Sequence, residues 1–488
     1  MTNDRQIAFS SKLAFGLGQM AEGLKNFSFN IFVLFYYSQV LGVPASLCGL
    51  MLFLALAFDA VTDPLAGSLS DHWNSPRGRR HPFMYAAAVP LGLAFWALFS
   101  PPDLSTTGLA IWLLVFSVLT RAAMTLYHVP HLALGAELTE NFEERTSIVA
   151  YRQAFGYLGA LTAAALAFGY FFTESMGGRL NAASYPPYAA LLSVLMAATI
   201  WISAFGTRRE IPHLPRASHS EHGSVLGRLV HDTGAAFQNE SFRWLFAGVL
   251  IVFVMVGVDN ALNIYVNQYF WELKDSQFLL LTIATPIGLI LGSPLVRPIH
   301  ERFDKKTGLV IGSAGWATLQ IVPVALRLSG GFPENGSPLL VPILVSFKFL
   351  QGVIVQQALV SFGSMMADVT DEHELATGRR TEGIFFGAVA FSGKLSSGFG
   401  TFVGGIGLDL IAFPRGAHVE TAADVAPQTI VHLGLLYGPV VAGFGVVSVW
   451  CYTHYRLNRA RHAQIISELQ KSRARRTETE SAFAKPAG

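Results

Sequence analysis

Charge is scarce in this chain and cysteine is nearly absent. Asp, Glu, Lys and Arg make up only 14% of 488 residues, and the net charge is +2. No broad basic field therefore marks a nucleic-acid partner. The two cysteines, Cys48 and Cys451, both lie in apolar runs, which argues against a disulfide framework. No phosphate-cradling G-x-x-x-x-G-K-[ST] loop occurs, so nothing points to an ATP-driven pump. No G-x-S-x-G elbow or H-E-x-x-H pair marks a hydrolase, and no enzyme is expected. The polar segment Met1 to Ser11 carries no signal-peptide pattern ahead of the first apolar stretch.

Apolar length is what the chain has instead. It is 52% hydrophobic with a mean hydropathy of +0.43, too apolar for one soluble core of this size. Stretches long enough to span a bilayer, about 20 residues, recur at approximately 12–40, 45–70, 82–101, 107–136, 147–173, 186–206, 242–270, 277–300, 307–328, 338–368, 381–413 and 428–456. In lipid only helices and closed barrels satisfy the backbone, and runs this long lack the alternation of a barrel. The expected fold is an all-α polytopic membrane protein of twelve transmembrane helices.

Basic residues orient it. They cluster after spans 2, 6, 8 and 10 (Arg77, Arg79, Arg80; Arg208, Arg209, Arg216, Arg228; Arg302, Lys305, Lys306; Arg379, Arg380), while the alternate loops carry about one each. Both termini are thus expected in the cytoplasm, with the protein in the cytoplasmic (inner) membrane. The longest polar connection, 207–241, separates an N-terminal six-helix bundle (1–206) from a C-terminal one (242–456), and a charged tail, helical and then disordered, fills 457–488. Basic turns after spans 2 and 8 hint at a repeat of the kind found in two-fold secondary transporters.

The chemistry should lie where polar groups interrupt the spans. Each ionised carboxylate at mid-bilayer costs roughly 2.5–3.5 kcal/mol, yet span 2 holds two, Asp59 and Asp63, one helical turn apart on one face. They either lock the fold through neighbouring cations or bind a coupling cation, with sodium held by oxygens or a proton shared. Pro64 frees a carbonyl in the preceding turn. Lys394, alone in the Gly- and Ser-rich span 11, is the evident counter-charge. Span 1 carries Glu22 and Lys25 at a spacing that allows them to pair. Span 4 carries Arg121, Tyr127, His128 and His131 around Pro130, and His128 suits a proton relay. Arg152 either closes a cytoplasmic gate with Glu137 or Glu140 or reaches the solute. In span 7, Asp259, Asn263 and Asn267 recur every four residues and suit a hydroxyl-rich ligand or helix association.

The run Asp59-Ala-Val-Thr-Asp63-Pro64-Leu-Ala-Gly67 resembles the glycoside–pentoside–hexuronide:cation symporter family of the major facilitator superfamily. So do Tyr127-His128-Val-Pro130, Glu144-Arg145-Thr, Tyr151-Arg152, Ala367-Asp368-Val-Thr-Asp371-Glu372 and Arg380-Thr-Glu382-Gly383 followed by Lys394. The resemblance implies two pseudo-symmetric six-helix bundles around a cavity and uptake by alternating access. Asp59 and Asp63 fall on the family's cation-site carboxylates, and Lys394 on its span 11 lysine. Its span 1 aspartate is replaced by Gly23 next to Glu22, its span 4 aspartate by His128 and its sugar-stacking tryptophan by Leu132, so a galactoside pocket is not preserved.

The expectation is a monomeric symporter for a sugar-like small solute, with no cofactor beyond a coupling proton or sodium ion. Cation coupling is expected at Asp59, Asp63, His128 and Lys394. The solute is expected at Glu22, Tyr127, His128, Arg152, Asp259 and Asn263, and gating at Asp71, Arg79, Glu137 and Arg145. Titratable Glu22 and His128 favour a proton over sodium. The alternatives are a cation-dependent lysolipid or amphiphile transporter, since His-Val-Pro also resembles animal lysolipid transporters, and a non-transporting sensor or scaffold.

Overall fold

The computed structural model describes residues 7–73, 75–139, 141–214, 237–378 and 382–483. Glu140, Arg216, Arg228, Arg379, Arg380 and most of the 207–241 connection lie outside them. The long helices, in chain order, are α1 (Phe9–Ser28), α2 (Ala45–His72), α3 (His81–Leu98), α4 (Thr106–Glu137), α5 (Phe142–Leu166) and α6 (Tyr185–Thr207). They continue as α7 (Glu240–Tyr265), α8 (Asp275–Arg302), α9 (Lys305–Leu328), α10 (Leu340–Thr377) and α11 (Glu382–Leu410). The rod Pro427–Thr453 is α12, and Arg459–Phe483 is α13. Wide π-type turns prolong α1 through Tyr36–Val40 and α7 through Val266–Phe270.

Among the described residues, ten of these helices are long and apolar enough to cross a membrane. The chain is an integral membrane protein. Two other long helices, α1 and α11, carry Glu22, Lys25 and Lys394 and pack among the ten. The span expected at 338–368 runs on as α10 to Thr377. Its polar end, with Asp368, Asp371 and Glu372, continues the helix past the apolar stretch, because nothing in Val369–Thr377 breaks it before the left-handed Gly378 (φ 72°).

Packing repeats along the chain. In the first half α1 packs on α5 and α6, α3 on α4 and α6, and α2 on α4; in the second half α7 packs on α11 and α12, α9 on α10 and α12, and α8 on α10. Adding six to each helix number converts one set into the other. The tightest crossings match too. Gly23 of α1 sits so close to the Gly156 carbonyl of α5 that a Cβ would collide with it, and Gly257 of α7 stands in the same relation to Ser397 O and Gly400 of α11. Small residues let backbones approach where lipid supplies no hydrophobic drive between helices.

Among the described residues the halves meet most extensively along α2 and α11, while α5 and its extension also pack on α8, and α7 on the Phe29–Val33 turn that prolongs α1. At the face remote from the N-terminus, Asp409 of α11 accepts from the backbone N–H groups of Ala45 (3.3 Å) and Ser46 (2.9 Å) at the start of α2, where the helix dipole favours a carboxylate. On that face Arg179 also donates to Leu273 O at 2.8 Å and pairs with Asp275 at 2.7 Å, and Phe35 meets Tyr265 edge-on with centroids 5.2 Å apart. Among the described residues, the ion pairs of the opposite face each lie within one half. Arg79 and Arg80 meet Glu137 (2.8 and 2.7 Å), Arg80 also meets Asp71, Lys12 meets Glu144 (2.7 Å), and Lys305 meets Asp368 (2.7 Å). Helix α13 lies on this face, with Ile465 and Leu469 buried beside Met365, Met366 and Phe385, and His462 3.1 Å from Asp371.

Gly257→Leu should destabilise the protein by about 1–3 kcal/mol, since rigid backbone blocks the added side chain. Gly443→Ala, where a Cβ meets nothing within 4 Å, should leave the unfolding midpoint in detergent within a degree or two of wild type. Equal midpoints for both variants would contradict this packing.

Candidate cation and solute site

Asp59 and Asp63 project from one face of α2, which runs unbroken through Pro64. Asp59 is buried. The Thr125 hydroxyl of α4 lies 2.8 Å from Oδ1 of each carboxylate. It carries one proton, so it donates to one at a time and ties the pair together. The outer oxygens both face Lys394 of α11, whose Nζ is 3.0 Å from Asp59 Oδ2 and in direct contact with Asp63 Oδ2. Arg121 of α4 approaches Asp59 Oδ2 at 3.6 Å while its guanidinium lies 5.0 Å from the centre of the Phe29 ring.

A second group adjoins the first. Glu22 of α1 touches Gln19, and its Oε2 lies 3.5 Å from His128 Nδ1. Lys25, whose spacing allows it to pair with Glu22, is buried and lies in the combined fields of Glu22, Asp59, Arg121 and Lys394. No carboxylate lies within 4.0 Å of it among the described residues. Arg152 of α5 lies within the field of Glu22, not at Glu137. Three carboxylates (Glu22, Asp59, Asp63) thus stand among Lys25, Arg121 and Lys394. Three buried polar atoms here, Gln19 Oε1, Arg121 Nε and His128 Nδ1, have no hydrogen-bond partner among the described residues.

The structure does not bring the other expected residues to this group. Tyr127 is fully buried under Gly18 of α1, stacked on His131 with ring centroids 5.2 Å apart. One step along a helix rotates a side chain by about 100°, so Tyr127 faces the bundle interior while His128 faces Glu22. His131 is a packing residue, stacked on Phe15 and bonded to its carbonyl at 2.9 Å. Asp259 and Asn263 of α7 enter a separate network in the second half. Gln320 donates to Asp259 (3.0 Å), and Asn263 donates to the Tyr437 hydroxyl (3.2 Å). Of the gating residues, Asp71, Arg79 and Glu137 cluster around Arg80, which also donates to Ser70 Oγ at 2.6 Å. Arg145 does not reach Glu137; it caps the end of α4 at Ala136 O (3.3 Å). Thr125 carried no signal in the sequence, because a hydroxyl in a helix bonds its own backbone at little cost. Lys348 of α10, a charge in an apolar run that the sequence does mark, stands in this second network at 3.2 Å from the Tyr437 hydroxyl.

Residues 14–459 match the family described as MFS/sugar transport protein. The chain belongs to that family. Inner membrane symporter YicJ of Escherichia coli (strain K12) is 25% identical over 91% of this chain and 90% of its own length. The isoprimeverose transporter of Lactiplantibacillus pentosus is 21% identical over 96% of this chain and 92% of its own. The crystal structure of nucleoside transporter NupG superposes with a TM-score of 0.59 at 15% identity, covering 92% of this chain and 98% of that one, which supports the major facilitator fold. Family membership makes this chain a transporter and not an enzyme, with a small solute and a coupling cation as its partners.

Replacing Lys394 by Met leaves two neighbouring carboxylates without their shared cation. The variant should lose about 2 kcal/mol of stability, less than for a fully buried pair because Lys394 is 36% exposed. Neutralising both carboxylates as well (Asp59→Asn, Asp63→Asn, Lys394→Met) should restore most of the loss. Additive losses in thermal unfolding would show that the three groups do not interact.

Proposed function

We propose that this chain is an inner-membrane symporter that couples uptake of a hydroxyl-rich, sugar-like solute to a proton or sodium ion. The contact of Lys394 with both Asp59 and Asp63 carries this reading. An ammonium from the second half occupies the position that a coupling cation would take on the first half. Four carboxylate oxygens and the Thr125 hydroxyl suit either a hard cation or a shared proton. When a cation binds, the carboxylates no longer need Lys394, and the α2–α11 contact loosens. Charge on one side chain thereby biases the rocking of one half against the other, which is what coupling requires.

The solute lies beside this pair, against Glu22, His128 and Arg152, where buried polar atoms await partners. The 207–241 connection links the six-helix halves in sequence. With both termini in the cytoplasm, the face where the halves touch lies toward the periplasm, which fits an inward-facing conformer. Glu137, Asp71 and the paired Arg79 and Arg80 then hold the cytoplasmic end of the first half ready to meet the second in the outward-facing state. Glu22 and His128 can pass a proton between them and make a poor sodium site, which favours a proton over sodium.

Uptake into proteoliposomes by a proton gradient, with sodium varied at fixed pH, tests this. Accumulation should follow the proton gradient and not respond to sodium. Asp59→Asn should reduce gradient-driven accumulation by more than 100-fold while solute exchange persists. Full accumulation by Asp59→Asn would remove this pair from coupling, and strict sodium dependence would assign the site to sodium.

A further inference from the structure

Lys348 lies in α10, in an otherwise apolar run, and is half-buried. Its charge there should cost as much as that of the aspartates, yet no carboxylate lies within 4.0 Å of it among the described residues. Its ammonium donates to the Tyr437 hydroxyl of α12 at 3.2 Å and stands 5.7 Å from the centre of that ring. Asn263 of α7 donates to the same hydroxyl at 3.2 Å. Tyr437 therefore accepts from both, and its hydroxyl also lies against the Gln320 side chain. The ammonium has two further N–H groups. Donors outnumber acceptors around this buried oxygen, and an anionic group, which accepts without donating, matches them better than a neutral hydroxyl that brings a donor of its own.

The surroundings are asymmetric. Gln320, Gln351 and Tyr437 are buried and linked, with Gln351 donating to Gln320 at 2.9 Å and Gln320 donating to Asp259 at 3.0 Å. Lys348, Asn263 and Asp259, which stand on this neutral layer, are only half-buried. Asp259 accepts from Gln320 and makes no direct ion pair with Lys348, although its field reaches that ammonium, so the network holds a cation and an anion near each other but out of contact. That surface borders the seam between the halves, because α7 packs on the Phe29–Val33 turn of α1. Phe29 also underlies Arg121 of the first half.

We propose that Lys348, Tyr437 and Asn263 form a subsite for an anionic group on the solute, a carboxylate or sulfonate, while Asp259 accepts from hydroxyls on the same molecule. This inference rests on the symporter reading above and adds the charge of the cargo. Lys348 is then a specificity-determining residue, separate from the coupling pair.

Methyl β-D-glucuronide and methyl β-D-glucoside differ by a carboxylate in place of a hydroxymethyl group. Their affinities for the purified full-length protein, measured by calorimetry, test the subsite. Wild type should bind the glucuronide about tenfold or more tightly than the glucoside. Lys348→Gln should abolish that ratio, and Lys348→Arg should retain it. Tyr437→Phe, which keeps the ring and removes the donor, should reduce the ratio severalfold and serves if Lys348→Gln does not fold. Binding of both glycosides without preference, or an unchanged ratio in folded Lys348→Gln and Tyr437→Phe, overturns the subsite alone. Binding of neither glycoside overturns the subsite together with the sugar reading.

Discussion

Lys394 donates its charge to carboxylates on the other half of the molecule, and much of the interior is arranged around that contact. An ammonium at this depth is tolerated only with counter-charge at hand. Asp59 and Asp63 supply it, and Thr125 keeps their two carboxylates in one place. Glu22, Lys25 and Arg121 then adjust the surroundings so that three positive groups stand near three negative ones. In such a cluster each group's partners are shared with the others, so removing one charge alters the surroundings of all of them.

The packing is what brings these charges within reach. Lys394 lies on α11, which is pressed against α7 at Gly257 and Gly400, and against α2 at Gly49 and Gly405. Larger residues at those crossings would move α11 outward and separate Nζ from the aspartates. The same α2–α11 seam ends at Asp409 on the start of α2. The charged cluster and the contacts at the remote face are therefore parts of one helix pair, so weakening the first bears on the second.

Residues with a large cost in lipid were legible in the sequence. Asp59, Asp63 and Lys394 are charged groups in apolar runs, and few counter-charges were available to any of them. Glu22 and His128 were legible for the same reason. Thr125 was not, because a hydroxyl satisfied by its own helix costs nothing that a reader of the sequence could notice. Tyr127 was misplaced because neighbours on a helix point about 100° apart, and an apolar helix buried on several sides shows no periodicity to tell which is which. The Glu22–Lys25 spacing permitted a pair that Gln19 and His128 displaced. Asp259 and Asn263 were correctly grouped on one face of α7, but that face turned toward Gln320 and Tyr437 of its own bundle.

The sequence by itself determined that this protein is a set of membrane-crossing helices with a few charges that must find one another. The physical reason is local, since lipid leaves the backbone no partner but its own helix and penalises each charge separately. Which charges meet was decided only by the tertiary structure. Ion pairing across the halves depends on the rotation and separation of whole helices, and those follow from small-residue crossings distributed over several hundred residues of chain. The face on which the halves close was likewise a matter of tertiary structure, because the backbone helices are compatible with either arrangement.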